Sequence, residues 1–137
     1  MKKILMINNR STIDSLKEDF NVAYPFLKIE FFKQAHIRGK GSHKKNMYPH
    51  NEKINSIRRN PAAGKISLSD NLTVNELENI FENKFGLHAQ VFRKSGNVWL
   101  ETTSTDDWTL EQQNEEGRSL AEHLKVEKEN PADHDIY

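Results

Sequence analysis

Leu5–Phe20 reads LMINNRSTIDSLKEDF, and Ile66–Phe81 reads ISLSDNLTVNELENIF. Laid over one another at an offset of 61, Leu5 and Ile7 fall on Ile66 and Leu68, Thr12 on Thr73, Ile13 on Val74, Leu16 on Leu77 and Phe20 on Phe81. After a one-residue slip, Leu27–Lys33 (LKIEFFK) matches Leu87–Arg93 (LHAQVFR) at an offset of 60. Self-similarity longer than one helix or strand marks a supersecondary unit, so it bears on architecture more than any short motif does.

Each copy reads strand, turn, helix, strand. Ile13, Leu16, Phe20 and Tyr24 share one face of a helix, and Val74, Leu77, Phe81 and Phe85 repeat the spacing. Thr73 with Glu76 fits a capping box; the first copy has Ser15 in place of that Glu, which predicts a weaker cap. Pro25 and Gly86 end the two helices. The following strands alternate, with Leu27, Ile29 and Phe31 on one side and Leu87, Ala89 and Val91 on the corresponding side.

Two such halves in tandem predict an α+β fold of the ferredoxin-like type, with repeat halves at about 1–33 and 65–94. Ser95-Gly96 turns the chain into a fifth strand over Asn97–Thr102, and a third helix is expected over Thr109–His123, opened by Asp106 or Asp107. The domain then covers 1–125, with an acidic, disordered tail at 126–137. A basic loop spans 34–51, longer than ordinary connections, and a short helix carrying Ile54 and Ile57 follows it.

The formal net charge is zero, but it is segregated. Lys33–Arg59 holds eight Lys/Arg and one acid, Glu52, whereas Glu101–Tyr137 holds eleven acids against Arg118, Lys125 and Lys128. The two segments either meet each other or meet separate partners. Cysteine is absent, which excludes disulfides, thiolate metal sites and cysteine nucleophiles. No apolar run approaches the ~18 residues of a membrane span, and the four apolar residues near the start are short for a signal peptide core. A cytoplasmic protein without a membrane partner is expected.

The segment VFRKSGNVWLETT (Val91–Thr103), followed by Asp106-Asp-Trp-Thr-Leu110, resembles small uncharacterised bacterial proteins. The resemblance covers under a third of the chain and implies no activity.

Alternation places Lys28 and Phe32 on the face away from the helices, together with His88, Phe92 and Trp99 (the last if Val98 and Leu100 point inward). Three aromatic rings beside Lys33, Arg93 and Lys94 suit either of two partners. One is a protein partner or a second copy of the chain, bound at the open sheet face or at the edge of the fifth strand. The other is single-stranded nucleic acid, whose bases stack on rings while cations take phosphates. The reading preferred is a non-enzymatic interaction module with a protein or homodimeric partner. Its central question is whether the third helix covers Phe32, Phe92 and Trp99.

The basic segment offers Arg38, Lys40, Lys44, Lys45, Arg58 and Arg59 to a phosphate backbone, but it lacks the full phosphate-loop and dinucleotide fingerprints, so no cofactor is predicted. His36, His43 and His50 recur at intervals of seven, which matches no zinc-ligand pattern. Asp106, Asp107, His123 and His134 form no triad or nucleophile elbow, and Asp106 reads as a helix cap.

Overall fold

The computed structural model describes residues 3–34, 44–48, 51–58 and 63–129, with side chains described as far as residue 125. The strands are β1 (Lys3–Ile7), β2 (Leu27–Phe32), β3 (Gly64–Leu68), β4 (His88–Ser95) and β5 (Val98–Glu101); the helices are α1 (Ile13–Ala23), α2 (Val74–Phe85) and α3 (Leu110–Glu129). Both aligned segments therefore run strand, helix, strand, and the fold is α+β.

The helices begin where side chains can take up the free N–H groups of a first turn. Thr73 Oγ1 accepts from Glu76 N, and Glu76 returns the bond to Thr73 N. Thr12 and Ser15 do the same, with the Ser15 hydroxyl accepting from Thr12 N at 2.9 Å, so serine completes the box that the sequence had suggested was weak. Thr109, not Asp106 or Asp107, opens α3, through reciprocal bonds with Gln112. Asp106 instead sits after a 3-10 turn, and its carbonyl accepts from Asn75 N. Gly86 ends α2 in the left-handed conformation at φ 65°, which an L side chain adopts only with strain.

The alternating residues of every helix-flanked strand feed one core. Leu5, Ile7, Leu27, Ile29, Phe31, Ile66, Leu68, Ala89 and Val91 join Leu16, Phe20, Leu77, Phe81 and Phe85 from the helices. The Phe31 and Phe81 rings meet edge to face with centroids 5.4 Å apart, which locks a strand of the first unit to the helix of the second.

The strands do not form the single sheet of the ferredoxin-like arrangement. β1 pairs antiparallel with β3, and β2 with β4, which pairs in turn with β5, giving two sheets of two and three strands. Each strand of the first unit thus pairs with its counterpart in the second. Leu5 faces Ile66, and Glu30 faces Gln90. Alternation fixes which side chains are buried; it leaves open which strand becomes the neighbour, because those hydrogen bonds join residues about sixty positions apart.

The correspondence continues past the aligned sequence. Ile13 N donates to Glu52 O and Ile54 N to Ser11 O; in the second unit Val74 N donates to Trp108 O and Leu110 N to Leu72 O. Ile54 and Leu110 are both fully buried. Likewise Tyr48 N donates to Phe31 O as Thr102 N does to Val91 O. What is a bridge at Met47 and a 3-10 turn at Ile54–Ser56 in the first unit is a full β-hairpin and a twenty-residue helix in the second. The turn replaces the short helix expected near Ile54. The last helix also runs to Glu129, four residues into the segment expected as tail; residues 130–137 lie outside the described part.

Candidate binding groove

Even-numbered residues of β2 and β4 share the face turned away from the core. Cross-strand pairing sets Lys28 against Phe92 and then Glu101, and Lys94 against Trp99. Across the sheet, Phe32 faces His88. The chain returns along the outer edge of β2: Lys33 N donates to Asn46 O at 2.7 Å, Tyr48 N to Phe31 O at 3.0 Å, and Met47 bridges to Phe32. The returning segment supplies one wall of a groove of about 280 Å³. Phe32, Lys44 and Met47 line one side; Lys28, Glu30, Phe92, Trp99 and Glu101 complete it.

Phe32 is only 3% exposed and acts as floor. The ammonium of Lys28 lies 5.3 Å from the Phe92 ring centroid and 5.1 Å from that of Trp99, and the Lys94 ammonium is 5.9 Å from Trp99. Cations over aromatic faces are held by the ring quadrupole, so these side chains are ordered together. Glu30, nearly buried, accepts from Lys17 of α1 at 2.6 Å and lies 3.8 Å from Lys28. Gln90, fully buried on the same face, donates to Val91 O, while its Oε1 has no hydrogen-bond partner.

α3 does not cover this groove; no α3 residue lines it among those described. The helix packs elsewhere. Gln113 Oε1 accepts from Arg93 Nη1 at 2.8 Å, Asn114 Oδ1 accepts from Phe26 N at 2.9 Å, and Gly117 lies so near Phe26 that an added Cβ would come within 2.8 Å of the Phe26 Cβ. Arg93 belongs to the core-facing set of β4, so α3 approaches the sheet from that side. Val98 and Leu100 also point to that side, yet they remain 57% and 42% exposed, because the packing of α3 does not extend over them.

Of the residues expected at the sheet face, Lys28, Phe32, Phe92 and Trp99 come together. His88 shares the face but does not line the groove; its Nδ1 is 3.4 Å from Glu82 Oε1. Among the basic residues, Lys44 stands at the rim and Lys45 is exposed. Arg58 is not available to a ligand. It is 6% exposed, bonds Asn55 Oδ1 and the Phe85 carbonyl at the end of α2, and its basicity is lowered by burial. Arg38, Lys40 and Arg59, with His36, His43 and His50, lie outside the described residues. Of the α3 acids, Glu115 and Glu122 pair locally with Arg118, whereas Glu101 shares the groove with Lys44.

Sequence reasoning missed Met47, Glu101 and the Lys17–Glu30 pair. Met47-Tyr48 is an apolar pair inside a polar loop, a signal that the loop touches the body of the protein. Lys17 and Glu30 carry no such mark, because their contact exists only once α1 lies beside β2. No described helix is long and apolar enough to cross a membrane. Comparison with known proteins found no matching family model, curated protein or solved structure.

Proposed function

We propose that this chain is a non-enzymatic interaction module that holds a protein partner in the groove over Phe92 and Trp99. The observation that carries this is the course of α3, which packs on Arg93 and Phe26 and leaves the aromatic groove open. A groove with ring walls, an apolar floor at Phe32, Met47 in the facing wall, and flanking ammonium groups suits an apolar side chain with a neighbouring carboxylate. The two strand–helix–strand units are read as copies of one unit, supported by their matched apolar spacing and by ladders that set counterparts face to face.

Nucleic-acid binding is the weaker reading of the same face. Stacking needs free ring faces, and Lys28 stands over both Phe92 and Trp99. Glu30 and Glu101 also line the groove and oppose a phosphate backbone.

A photo-crosslinking amino acid at Trp99, with Val22 as a control position on α1, tests the proposal. Expected at position 99 is an adduct to a protein other than a second copy of this chain, lost in a Lys28→Glu background and absent at position 22. Titration with mixed-sequence single strands should show no binding at low salt. Tight binding that falls steeply with salt, with crosslinks from position 99 to the oligonucleotide, overturns the protein reading in favour of nucleic acid.

A further inference from the structure

Among the described residues β5 is the outermost strand of the three-stranded sheet, and the register shows which of its backbone groups point away from β4. Thr102 N donates to Val91 O across the ladder. Narrow and wide pairs alternate in an antiparallel ladder, so Leu100 and Val98 also turn their N–H and C=O toward β4. Trp99 and Glu101 turn theirs away from it, toward the open edge. The side chains flanking that edge are Trp99 and Glu101 on the groove face, and Val98 and Leu100, both exposed, on the other. An open edge with apolar side chains on both faces is a template for another strand.

We propose that the strand it takes is β5 of a second copy of this chain, paired antiparallel about a twofold axis at Leu100. Backbone direction permits an axis only at a residue, not between two, since the groups of Trp99 and Glu101 must meet groups that also point outward. An axis at Glu101 sets two carboxylates directly opposite, which is repulsive. An axis at Trp99 sets Glu101 against Asn97 of the hairpin turn, outside the strand. The axis at Leu100 makes two narrow pairs, each joining Trp99 of one copy to Glu101 of the other, and uses every outward group of the strand.

The side chains are complementary in that register alone. The two Leu100 side chains meet across the axis on one face. On the other, each Glu101 carboxylate comes beside Trp99 of the second copy, over whose ring the Lys94 ammonium already stands at 5.9 Å. The result is one continuous six-stranded sheet, three strands from each copy, with both grooves on the same face. The backbone bonds of this pairing use the outer edge of β5, and only the Trp99 and Glu101 side chains are shared with the groove, so it does not require a bound partner.

The chain has no cysteine, so a single introduced one reports the register cleanly. Sedimentation equilibrium of the unmodified chain should give twice the monomer mass. Leu100→Cys should form a disulfide-linked dimer on mild oxidation far faster than Val22→Cys, because a wide antiparallel pair brings the Cα atoms to about 4.5 Å, within disulfide range. Glu101→Pro removes an outward N–H without touching the β4 ladder, and should halve the mass while leaving the circular dichroism unchanged. A monomer at every concentration, a dimer that survives folded Glu101→Pro, or oxidation of Leu100→Cys no faster than of Val22→Cys overturns the proposal. If Glu101→Pro does not fold, the oxidation rates decide alone.

Discussion

Glu30 lies directly across from Gln90 in the β2–β4 ladder, and these are the residues that coincide when the sequence is laid on itself at an offset of 60. Leu5 and Ile66 are related in the same way at an offset of 61. Each ladder contains one such pair, which is the arrangement that a local twofold between the two units produces. The surroundings of Glu30 and Gln90 differ. Lys17 reaches Glu30, whereas Glu78, its counterpart on α2, accepts from Val91 N beside Gln90.

Because Phe20 and Phe81 are both fully buried counterparts, Phe20→Ala and Phe81→Ala should each cost about 3–5 kcal/mol. Urea unfolding measures both. A midpoint unchanged in either variant contradicts its place in the core.

Gly117→Ala sets two effects against each other. Alanine gains about 1 kcal/mol over glycine within a helix. Here its methyl would stand 2.8 Å from the Phe26 Cβ, an atom that cannot swing away, and overpacking of this kind costs about 1–3 kcal/mol. The expected net effect is destabilisation, with faster amide exchange in α3. A rise in stability would mean that α3 is free to shift off the sheet.

The caps of the three helices should be of similar worth. Thr12→Ala, Thr73→Ala and Thr109→Ala each remove an acceptor from a first turn, for about 1 kcal/mol apiece. A Thr12 effect far below that of Thr73 would show that Ser15 is a poor substitute for Glu76.

Tyr24 should impose an alkaline limit on stability. Burial, with the Asp70 carboxylate at 3.1 Å, raises its pKa above the ordinary tyrosine value. A raised pKa makes the folded state hold a proton that the unfolded chain releases, so this contribution is complete below about pH 10 and declines as pH rises toward the folded pKa. Asp70 runs the other way. Bonds from Lys3 and Tyr24 hold its pKa low, so its small, solvent-screened contribution is present above about pH 4 and lost as pH falls through the folded value. Urea melts at about pH 8 and about pH 11 should show the native chain losing stability, and Tyr24→Phe losing less of it. Equal losses in the two proteins would refute the assignment.

The helices, their caps at Thr12 and Thr73, and the buried set from Leu5 to Val91 were legible in the sequence, because period and capping are local properties. The aromatic members of the groove were legible for the same reason, since alternation alone assigns Lys28, Phe32 and Phe92 to one face. The cap at Thr109 carries a local signal of the same kind, since Gln112 stands at the capping-box spacing, and Asp106 competes with it as an acidic residue just upstream.

By itself, the sequence determined that two strand–helix–strand units exist, which residues each buries and which face carries the rings. The tertiary structure alone decided that β1 seeks β3 and β2 seeks β4, that α3 crosses Arg93 instead of the rings, and that Met47 returns to wall the groove. The physical reason is range. Propensity, period and capping act within a few residues, whereas strand partnership and helix docking depend on contacts across fifty or more positions, such as Phe31 with Phe81 and Phe26 with Asn114, which form only when the whole core closes.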